Sequence, residues 1–400
     1  MATLIDPHLF CFSYHRHTQN SQQDPTWQQW QQNHPLTPVD AAEYALHKGN
    51  DWDALYYEEN FGDSTGLLLY AAIRNGKQPQ PLSRLKDLKA HLAGLHGSIG
   101  QTWLVMTQWQ PETPAQSETE ILQAILNLWD IEKIHKPGQF LGTPFYPTTL
   151  KSGETLLVFL CPNPELRKEL DKFYYEWLWL FVYEHKMHWM YAQSSKIKQI
   201  LSQETFFPLT DEIIPASQIN LNESQIIKGD FQEVRRVLYN NMQKLDRHTR
   251  GIEGLSLQLQ TLITNIKAYQ TRLQDIQSLI AKHPQPSDLT PWLDVATKRG
   301  ALYQEQIQQD INSLSPGLRV REQHIKTLQV IVEAAQGERD RHLENTIAAA
   351  GLGVGVSSAA AGAWAGQTPR PIHTFGISLG LGVLSSVVVY GLLYLFRPNR

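Results

Sequence analysis

Short apolar runs alternate with helical patterns over the first 165 residues of the chain. Four runs of aliphatic and aromatic residues predict β-strands, and two segments with apolar residues three or four positions apart predict helices between them. A further helix start is predicted at Thr37, because threonine caps helices and a proline follows it. We therefore predict an α/β or α+β domain over residues 1–165. The predicted strands are 9–12, 67–73, 103–109 and 155–161, and the predicted helices are 82–95 and 118–129.

A long helix rich in aromatic residues is predicted to follow this domain, and we assign 166–220 to this helix and a linker. Pro164 suits the first helical position, and the helical pattern reaches about Leu201. The aromatic residues fall on all faces, which indicates burial on most sides. Because Glu184 and Lys186 interrupt the apolar positions, we interpret the segment as a buried domain helix. The alternatives are a membrane span and an aromatic surface for a partner or for lipid headgroups.

The next segment, 221–345, has a heptad pattern that is typical of coiled coils. Over 238–280, apolar residues recur at alternating spacings of three and four, with a slip near Gly254. Prolines end this helix, and a second helix is predicted over 290–314. The Ser-Pro-Gly sequence at 315–317 predicts a break before a third helix. We predict long antiparallel coiled-coil and stalk helices.

Two segments near the C-terminus carry no charged residue, namely 346–366 and 374–396. A bilayer-spanning helix needs about 20 mainly apolar residues, so both are long enough. We predict a two-helix transmembrane hairpin over 346–396 with the lipid bilayer as its partner. Arginines flank the hairpin on both outer sides, which predicts that both termini lie in the cytoplasm, at the plasma (inner) membrane. Residues 397–400 are then a basic cytoplasmic tail.

The two predicted spans differ in composition. The first is rich in alanine, glycine and serine, whereas the second carries large aliphatic residues. We predict a homo-oligomer in which the first span lies inside and the second faces lipid; the alternative is a monomeric hairpin whose spans pack on each other. Hydroxyl residues of the first span are candidates to line a pore or to bond to neighbouring helices. The candidate packing residues are Gly351, Gly355, Gly362 and Gly366, the candidate pore-lining residues are Thr346, Ser357 and Ser358, and the outside loop contains Gln367, Arg370 and His373.

Composition narrows the function classes. Hydrophobic residues make up 42% and charged residues 18% of the chain, which is enough apolar content for a core. The net charge of −4 gives no basic surface for nucleic acid, so we expect no nucleic-acid partner. The chain has two cysteines, Cys11 and Cys161, both in predicted strands. Two cysteines exclude a disulfide scaffold and a cysteine zinc site, and we expect both to be buried thiols.

The order of these segments resembles the CorA-type magnesium-channel superfamily over the whole chain. The most specific parts are Arg339-Asp-Arg-His-Leu-Glu-Asn345, before the first predicted span, and the ending Leu393-Tyr-Leu-Phe-Arg-Pro-Asn-Arg400. The resemblance implies a cytoplasmic α/β domain, a stalk helix that continues into the first span, and first spans that surround a central pore. The family ends that span with Gly-Met-Asn, whereas this chain has Gly362-Ala-Trp-Ala-Gly-Gln367, and the loop carries Arg370 in place of acidic residues. The resemblance thus implies topology and an oligomer more directly than magnesium transport.

Motifs for catalysis are absent from the sequence. It contains no phosphate loop, dinucleotide glycine fingerprint or nucleophile elbow, so we predict that the protein is not an enzyme and needs no cofactor. His185 and His188 lie three residues apart on the aromatic-rich helix, beside Glu184, and this arrangement is a candidate metal site. The full zinc-protease spacing is missing. We therefore interpret the three as polar positions on a buried helix and predict no metal site.

Two functions are favoured at this stage, and a third alternative, an enzyme on a membrane stalk, has no supporting motif in the sequence. The first is a CorA-like oligomeric integral membrane protein, an ion channel or transporter gated when its cytoplasmic domain senses an ion, a nucleotide or a partner. The second is a membrane-anchored coiled-coil protein without ion selectivity, acting in signalling, as a scaffold or as a bacterial defence effector. The second function implies a protein partner of the N-terminal domain.

Overall fold

The structure, a computed structural model, places the described residues in two compact units. The first unit consists of Met1–Lys196 with Leu255–Asp310, and the second of Ile197–Gly254 with Ile311–Arg400. The described residues are 3–17, 32, 37–38, 43–48, 51–74, 78–109, 117–131, 134–150, 152–206 and 231–336.

Strands dominate the first 161 residues, and helices follow them. The strands are β1 (Thr3–Arg16), β2 (Thr37–Pro38), β3 (Glu43–Lys48), β4 (Trp52–Asn60), β5 (Ser64–Ile73), β6 (Pro79–Pro81), β7 (Gly100–Gln108), β8 (Gly138–Phe140), β9 (Thr143–Thr149) and β10 (Thr155–Cys161). The α-helices are α1 (Leu82–Leu92), α2 (Glu118–Asn127), α3 (Pro164–Asp171), α4 (Tyr174–Phe206), α5 (Phe231–Ile280), α6 (Thr290–Asp294) and α7 (Ala301–Gln336), and a π-helical segment, Val295–Gly300, joins α6 to α7.

Ten strands form one mixed sheet in the order β2-β3-β4-β5-β1-β7-β10-β9-β8, and β6 pairs with one end of β1. β1 lies at the centre, antiparallel to both β5 and β7. Its residues 9–12 are apolar, and every residue from Pro7 to His15 is buried, which is the pattern of a central strand covered on both sides. β7 and β10 are parallel, and helix α2 lies in the connection between them. The sequence-based prediction of an α/β domain is thus confirmed for this unit.

The two faces of β1 contact different sets of helices. Leu9 and Cys11 point to one face and join a core cluster with apolar residues of α1 and α2. Phe12 and Tyr14 point to the other face, where they meet α4. The ring of Phe12 makes an edge contact with the ring of Phe181, at 5.3 Å between centroids, and the Tyr14 hydroxyl donates a hydrogen bond to the carbonyl oxygen of Leu178. The sheet is therefore a middle layer between helices.

Helix α4 is the principal cover of the second face. Trp177 is fully buried, and its ring stacks on that of Phe159 in β10 at 5.4 Å. Leu178, Leu180 and Phe181 are also buried. Burial on most sides explains why its aromatic residues occupy several faces, although Tyr175 near its start is 37% exposed. The interpretation as a buried domain helix is confirmed.

Three local predictions are wrong. Thr37 and Pro38 form a strand, because they pair with β3 and this pairing overrides the helix-start signal. The helix expected from Pro164 is interrupted after Asp171, and a new helix begins at Tyr174. The break expected at 315–317 does not occur, because α7 continues through Pro316. There the Ser315 hydroxyl bonds to the carbonyl oxygen of Ile311, a bond that helix interiors accommodate.

The fold class predicted from the sequence also needs correction, because it included a transmembrane hairpin. Within the described part of the chain, no helix has the length and apolar character needed to cross a membrane. Both segments predicted to span, 346–366 and 374–396, and the tail 397–400 lie outside the described residues. The supported fold is an α/β mixed-sheet domain with long helices.

Because β1 is the central strand, shortening one of its core side chains should lower the stability of the fold strongly. Leu9→Ala should lower the free energy of unfolding by about 2–5 kcal/mol, because Leu9 is fully buried and the substitution leaves a cavity. Urea denaturation measures this change. Leu257→Ala is the matched control, since that side chain is 60% exposed and its loss should change stability by less than about 0.5 kcal/mol. Equal effects of the two substitutions would contradict the assignment of β1 to the core.

Candidate functional site

A cavity of about 380 Å³ lies on the α4 side of the sheet, within the first unit. Its strand wall comes from β7, β9 and β10, and its helix wall comes from α4, α6, the π-helical segment and α7. Phe181, Trp292 and Leu157 supply apolar surface. The remaining lining is mostly hydroxyl-bearing or charged, so the cavity combines an apolar part with a polar part, as small-molecule sites commonly do.

Threonine side chains make up the polar part of the strand wall. Thr102 of β7 lies directly beside Thr155 of β10, because these parallel strands are in register at this pair. Thr148 and Thr149 follow on β9, where Thr149 pairs with Thr155. Threonine suits strands because its branched side chain packs well on a pleated surface. Three neighbouring strands thus bring the hydroxyl groups of Thr102, Thr149 and Thr155 to one wall, whereas Thr148, which pairs with Leu156, points to the opposite face.

The π-helical segment Val295–Gly300 supplies the cationic part of the helix wall. It carries Lys298 and Arg299, which both line the cavity. Gly300 lies close to Ile266, and a Cβ atom at Gly300 would be 3.1 Å from its Cγ1 atom. A π-helical turn inside a run of α-helix changes the direction of its side chains, and such turns are frequent at functional sites. Here the turn coincides with the cavity.

Arg299 and Glu184 form a partly buried ion pair at the cavity. The Arg299 Nη1 atom is 3.3 Å from Oε1 of Glu184, and the two side chains are 31% and 7% exposed. Burial raises the pKa of Glu184, and the charge of Arg299 together with its hydrogen bond offsets part of this effect. A carboxylate buried at this depth requires a cationic partner. Arg299 therefore has a fixed position at the cavity wall.

His188 fixes the same guanidinium from a second direction. Arg299 Nη1 lies 3.0 Å from Nε2 of His188, and the Tyr303 hydroxyl lies 2.9 Å from Nδ1. A guanidinium only donates hydrogen bonds, so Nε2 accepts and the proton of the neutral ring is on Nδ1, which donates to Tyr303. Burial, followed by the charge of Arg299, lowers the pKa of His188 to about 4. The ring is therefore neutral at neutral pH.

His185 lies one turn earlier on α4 and faces the sheet. Its Nε2 atom is 2.7 Å from the Thr102 hydroxyl, and burial lowers its pKa to about 3. The backbone of β7 approaches the ring closely, since a Cβ atom at Gly100 would be 2.3 Å from Nδ1. Gly100 is thus required by this close approach. His185 joins helix to strand, whereas His188 holds Arg299.

The candidate metal site noted at Glu184, His185 and His188 is not assembled in this arrangement. His185 bonds to Thr102, while His188 bonds to Arg299 and Tyr303. Among the described residues, no group of three or more His, Cys, Asp or Glu side chains is arranged to hold a metal ion. Both cysteines are free thiols and buried, as expected.

The residues proposed to act in the membrane are not placed by the structure. All of them lie outside the described residues, namely Thr346, Gly351, Gly355, Ser357, Ser358, Gly362, Gly366, Gln367, Arg370 and His373.

Sequence reasoning did not single out the residues that form the cavity. Lys298 and Arg299 are two common charged residues within a predicted helix, and Lys136 belongs to a stretch without a predicted element. Among the lining residues, Glu184 alone was noted, as part of the candidate metal site. The usable signal was an acidic residue on a helix that is otherwise buried, because such a residue requires a partner.

Comparisons with known proteins do not assign the chain to a family. No protein-family model matches the chain, and a search of curated proteins found no significant match.

The lowered pKa of His188 predicts a pH-dependent stability. Between pH 6.5 and about 4 the unfolded chain binds a proton at this ring that the folded protein does not bind. The free energy of unfolding should therefore fall as the pH falls through this window, by at most about 1.4 kcal/mol per pH unit for one histidine. Urea denaturation at several pH values within the window measures this slope.

The comparison with His188→Gln isolates the histidine. The raised pKa of Glu184 acts in the opposite direction, since the folded protein holds that proton more tightly. His188→Gln should therefore flatten the fall, while His96→Gln should not, because the side chain of His96 is 78% exposed. The same pH dependence in wild type and His188→Gln would rule out the assignment.

Proposed function

We propose that the first unit is a ligand-binding domain whose cavity takes a small molecule with a phosphate or carboxylate group. The proposed activity is ligand binding, with no chemical reaction on the ligand. Arg299 is the anchor of this proposal. Both of its hydrogen bonds use Nη1, and its other N–H groups make no hydrogen bond to the described residues. The guanidinium fork matches carboxylate and phosphate oxygens in pairs, so these N–H groups suit an anionic ligand.

The charge of the lining supports an anion. Three cationic side chains line the cavity, Lys136, Lys298 and Arg299, against the two acidic side chains Glu184 and Asp294. One positive charge is therefore in excess. Lys298 Nζ lies 2.7 Å from Asp294 Oδ2, and its side chain is 74% exposed. Such an exposed pair contributes little to stability, so a ligand oxygen can replace the carboxylate at small cost.

The size and the remaining lining support a small organic anion. A volume of about 380 Å³ lies within the usual range for small-molecule sites. Threonine hydroxyls on one wall offer hydrogen bonds to polar parts of the ligand, and Trp292 and Phe181 offer apolar contact. A nucleotide, a sugar phosphate or a di- or tricarboxylate has this combination of groups.

This proposal keeps one part of the sequence-based predictions, namely a sensory role of the N-terminal domain. Ion transport and membrane anchoring both depend on segments outside the described residues, and the proposal does not use them. The predicted cytoplasmic location and the predicted homo-oligomer stay predictions.

Calorimetric titration tests the proposal on the full-length protein. The probes are inorganic phosphate, pyrophosphate, ATP and citrate. We expect at least one probe to bind wild type, and Arg299→Gln to weaken it by about 10- to 100-fold, because hydrogen bonds to a charged group contribute about 1.5–3 kcal/mol.

The matched control is Arg84→Gln. Arg84 belongs to α1 on the opposite face of the sheet, its side chain is 34% exposed, and like Arg299 it pairs with a single carboxylate, here that of Asp51. This variant should bind the probe like wild type. Absence of binding for all four probes, or equal affinity of wild type and Arg299→Gln, would contradict the proposal.

A further inference from the structure

A second, smaller cavity of about 200 Å³ lies at the β4, β5 and β1 part of the sheet. Phe10, Tyr57, Tyr70 and Tyr174 line it, and we call these four residues the aromatic cage. Three come from neighbouring strands, where Tyr70 pairs with Phe10 and Tyr57 pairs with Leu68. Tyr174 is the first residue of α4. The rings of Phe10 and Tyr70 are 4.7 Å apart, and those of Tyr57 and Tyr174 are 6.4 Å apart.

One carboxylate, that of Asp171, opens into this cavity. Its Oδ2 atom pairs with Arg167, whereas its Oδ1 atom is buried and has no hydrogen-bond partner among the described residues. A buried carboxylate oxygen without a partner leaves the charge of Asp171 incompletely compensated, so a cation bound in the cavity beside it would be stabilised. Burial raises the pKa of Asp171, which is the effect expected of a carboxylate that lacks full compensation.

The charges around Asp171 favour a cation. Arg167 is shared between two carboxylates, because its Nε atom also lies 2.9 Å from Oδ2 of Asp6. Asp6, Asp171 and Arg167 together carry one negative charge in excess, and the His8 ring lies beside Asp6, with Nε2 at 3.3 Å from Oδ1. A further carboxylate lies at the edge of the aromatic cage, because the Tyr57 hydroxyl donates a hydrogen bond to Oε2 of Glu59 at 2.7 Å.

We propose that the aromatic cage and Asp171 form a binding site for a small organic cation, namely a methylated ammonium group. Ring faces attract cations through their quadrupole, and cages of several aromatic rings are suited to quaternary ammonium groups. The carboxylate of Asp171 supplies a counter-charge. A counter-charge stabilises a cationic ligand and does not stabilise an apolar one. This site is separate from the cavity of about 380 Å³ that Arg299 lines, since no residue lines both cavities.

The size of the cavity agrees with this occupant. At about 200 Å³ it is smaller than the usual range for drug-sized ligands, so it suits a compact head group. An anion is excluded by Asp171, and a larger aromatic ligand by the volume.

Titration calorimetry on the full-length protein tests the proposal with two probes of the same shape. Choline carries the quaternary ammonium group, and 3,3-dimethyl-1-butanol is its neutral isostere. We expect choline to bind and the isostere to bind at least about tenfold more weakly, because a desolvated cation–π contact and a counter-charge act on the cation alone. Absence of heat for choline at millimolar concentration, or equal binding of both probes, would overturn the proposal.

Three variants separate the ring, the hydroxyl and the carboxylate. Tyr57→Leu should weaken choline binding about tenfold, whereas Tyr57→Phe should retain it, because the ring face makes the contact. Asp171→Asn should also weaken binding about tenfold or more. Tyr239→Leu is the control, since that tyrosine is 61% exposed and does not line the cavity. Circular dichroism verifies that each variant folds. Unchanged binding in both Tyr57→Leu and Asp171→Asn would overturn the assignment.

Discussion

The buried carboxylate of Glu184 is the constraint on which the candidate site depends. Helix α4 covers the sheet with aromatic and aliphatic side chains, and an ionised group in that layer requires a partner. Arg299 provides it from the π-helical segment, and His188 holds the same guanidinium from the other side. The ion pair therefore decides where the segment lies against α4. It also decides that Lys298 and Arg299 face the cavity.

The same face of one sheet carries two cavities of opposite character. The larger one has an excess of cationic side chains from the π-helical segment. The smaller one has aromatic rings and Asp171, which belongs to α3. Helix α4 contributes to both, through Tyr174 at its start and Glu184 further along. Residues between them, such as Trp177, are fully buried, so the core separates the two cavities.

The sequence predicted the parts of the fold that have strong local signals. The central strands were found because their apolar runs are continuous, and α2 because its apolar residues recur three or four positions apart. β4 was missed, since Asp53, Glu58 and Glu59 interrupt its pattern, and β9 because it contains two prolines. The cavity residues come from distant stretches that only the fold brings together, so spacing could not reveal them. The predicted transmembrane hairpin relied on the length of two uncharged segments and on the arginines that flank them.

A double-mutant cycle on Glu184 and Arg299 tests the central claim most directly. The free energy of unfolding is measured by urea denaturation for wild type, Glu184→Gln, Arg299→Gln and the double variant at neutral pH. Because the two side chains are in contact and share a network, we expect the double variant to lose less than the sum of the single losses, with a coupling energy above about 1 kcal/mol. Single losses that add to within about 0.3 kcal/mol would contradict the claim that Glu184 holds Arg299 at the cavity.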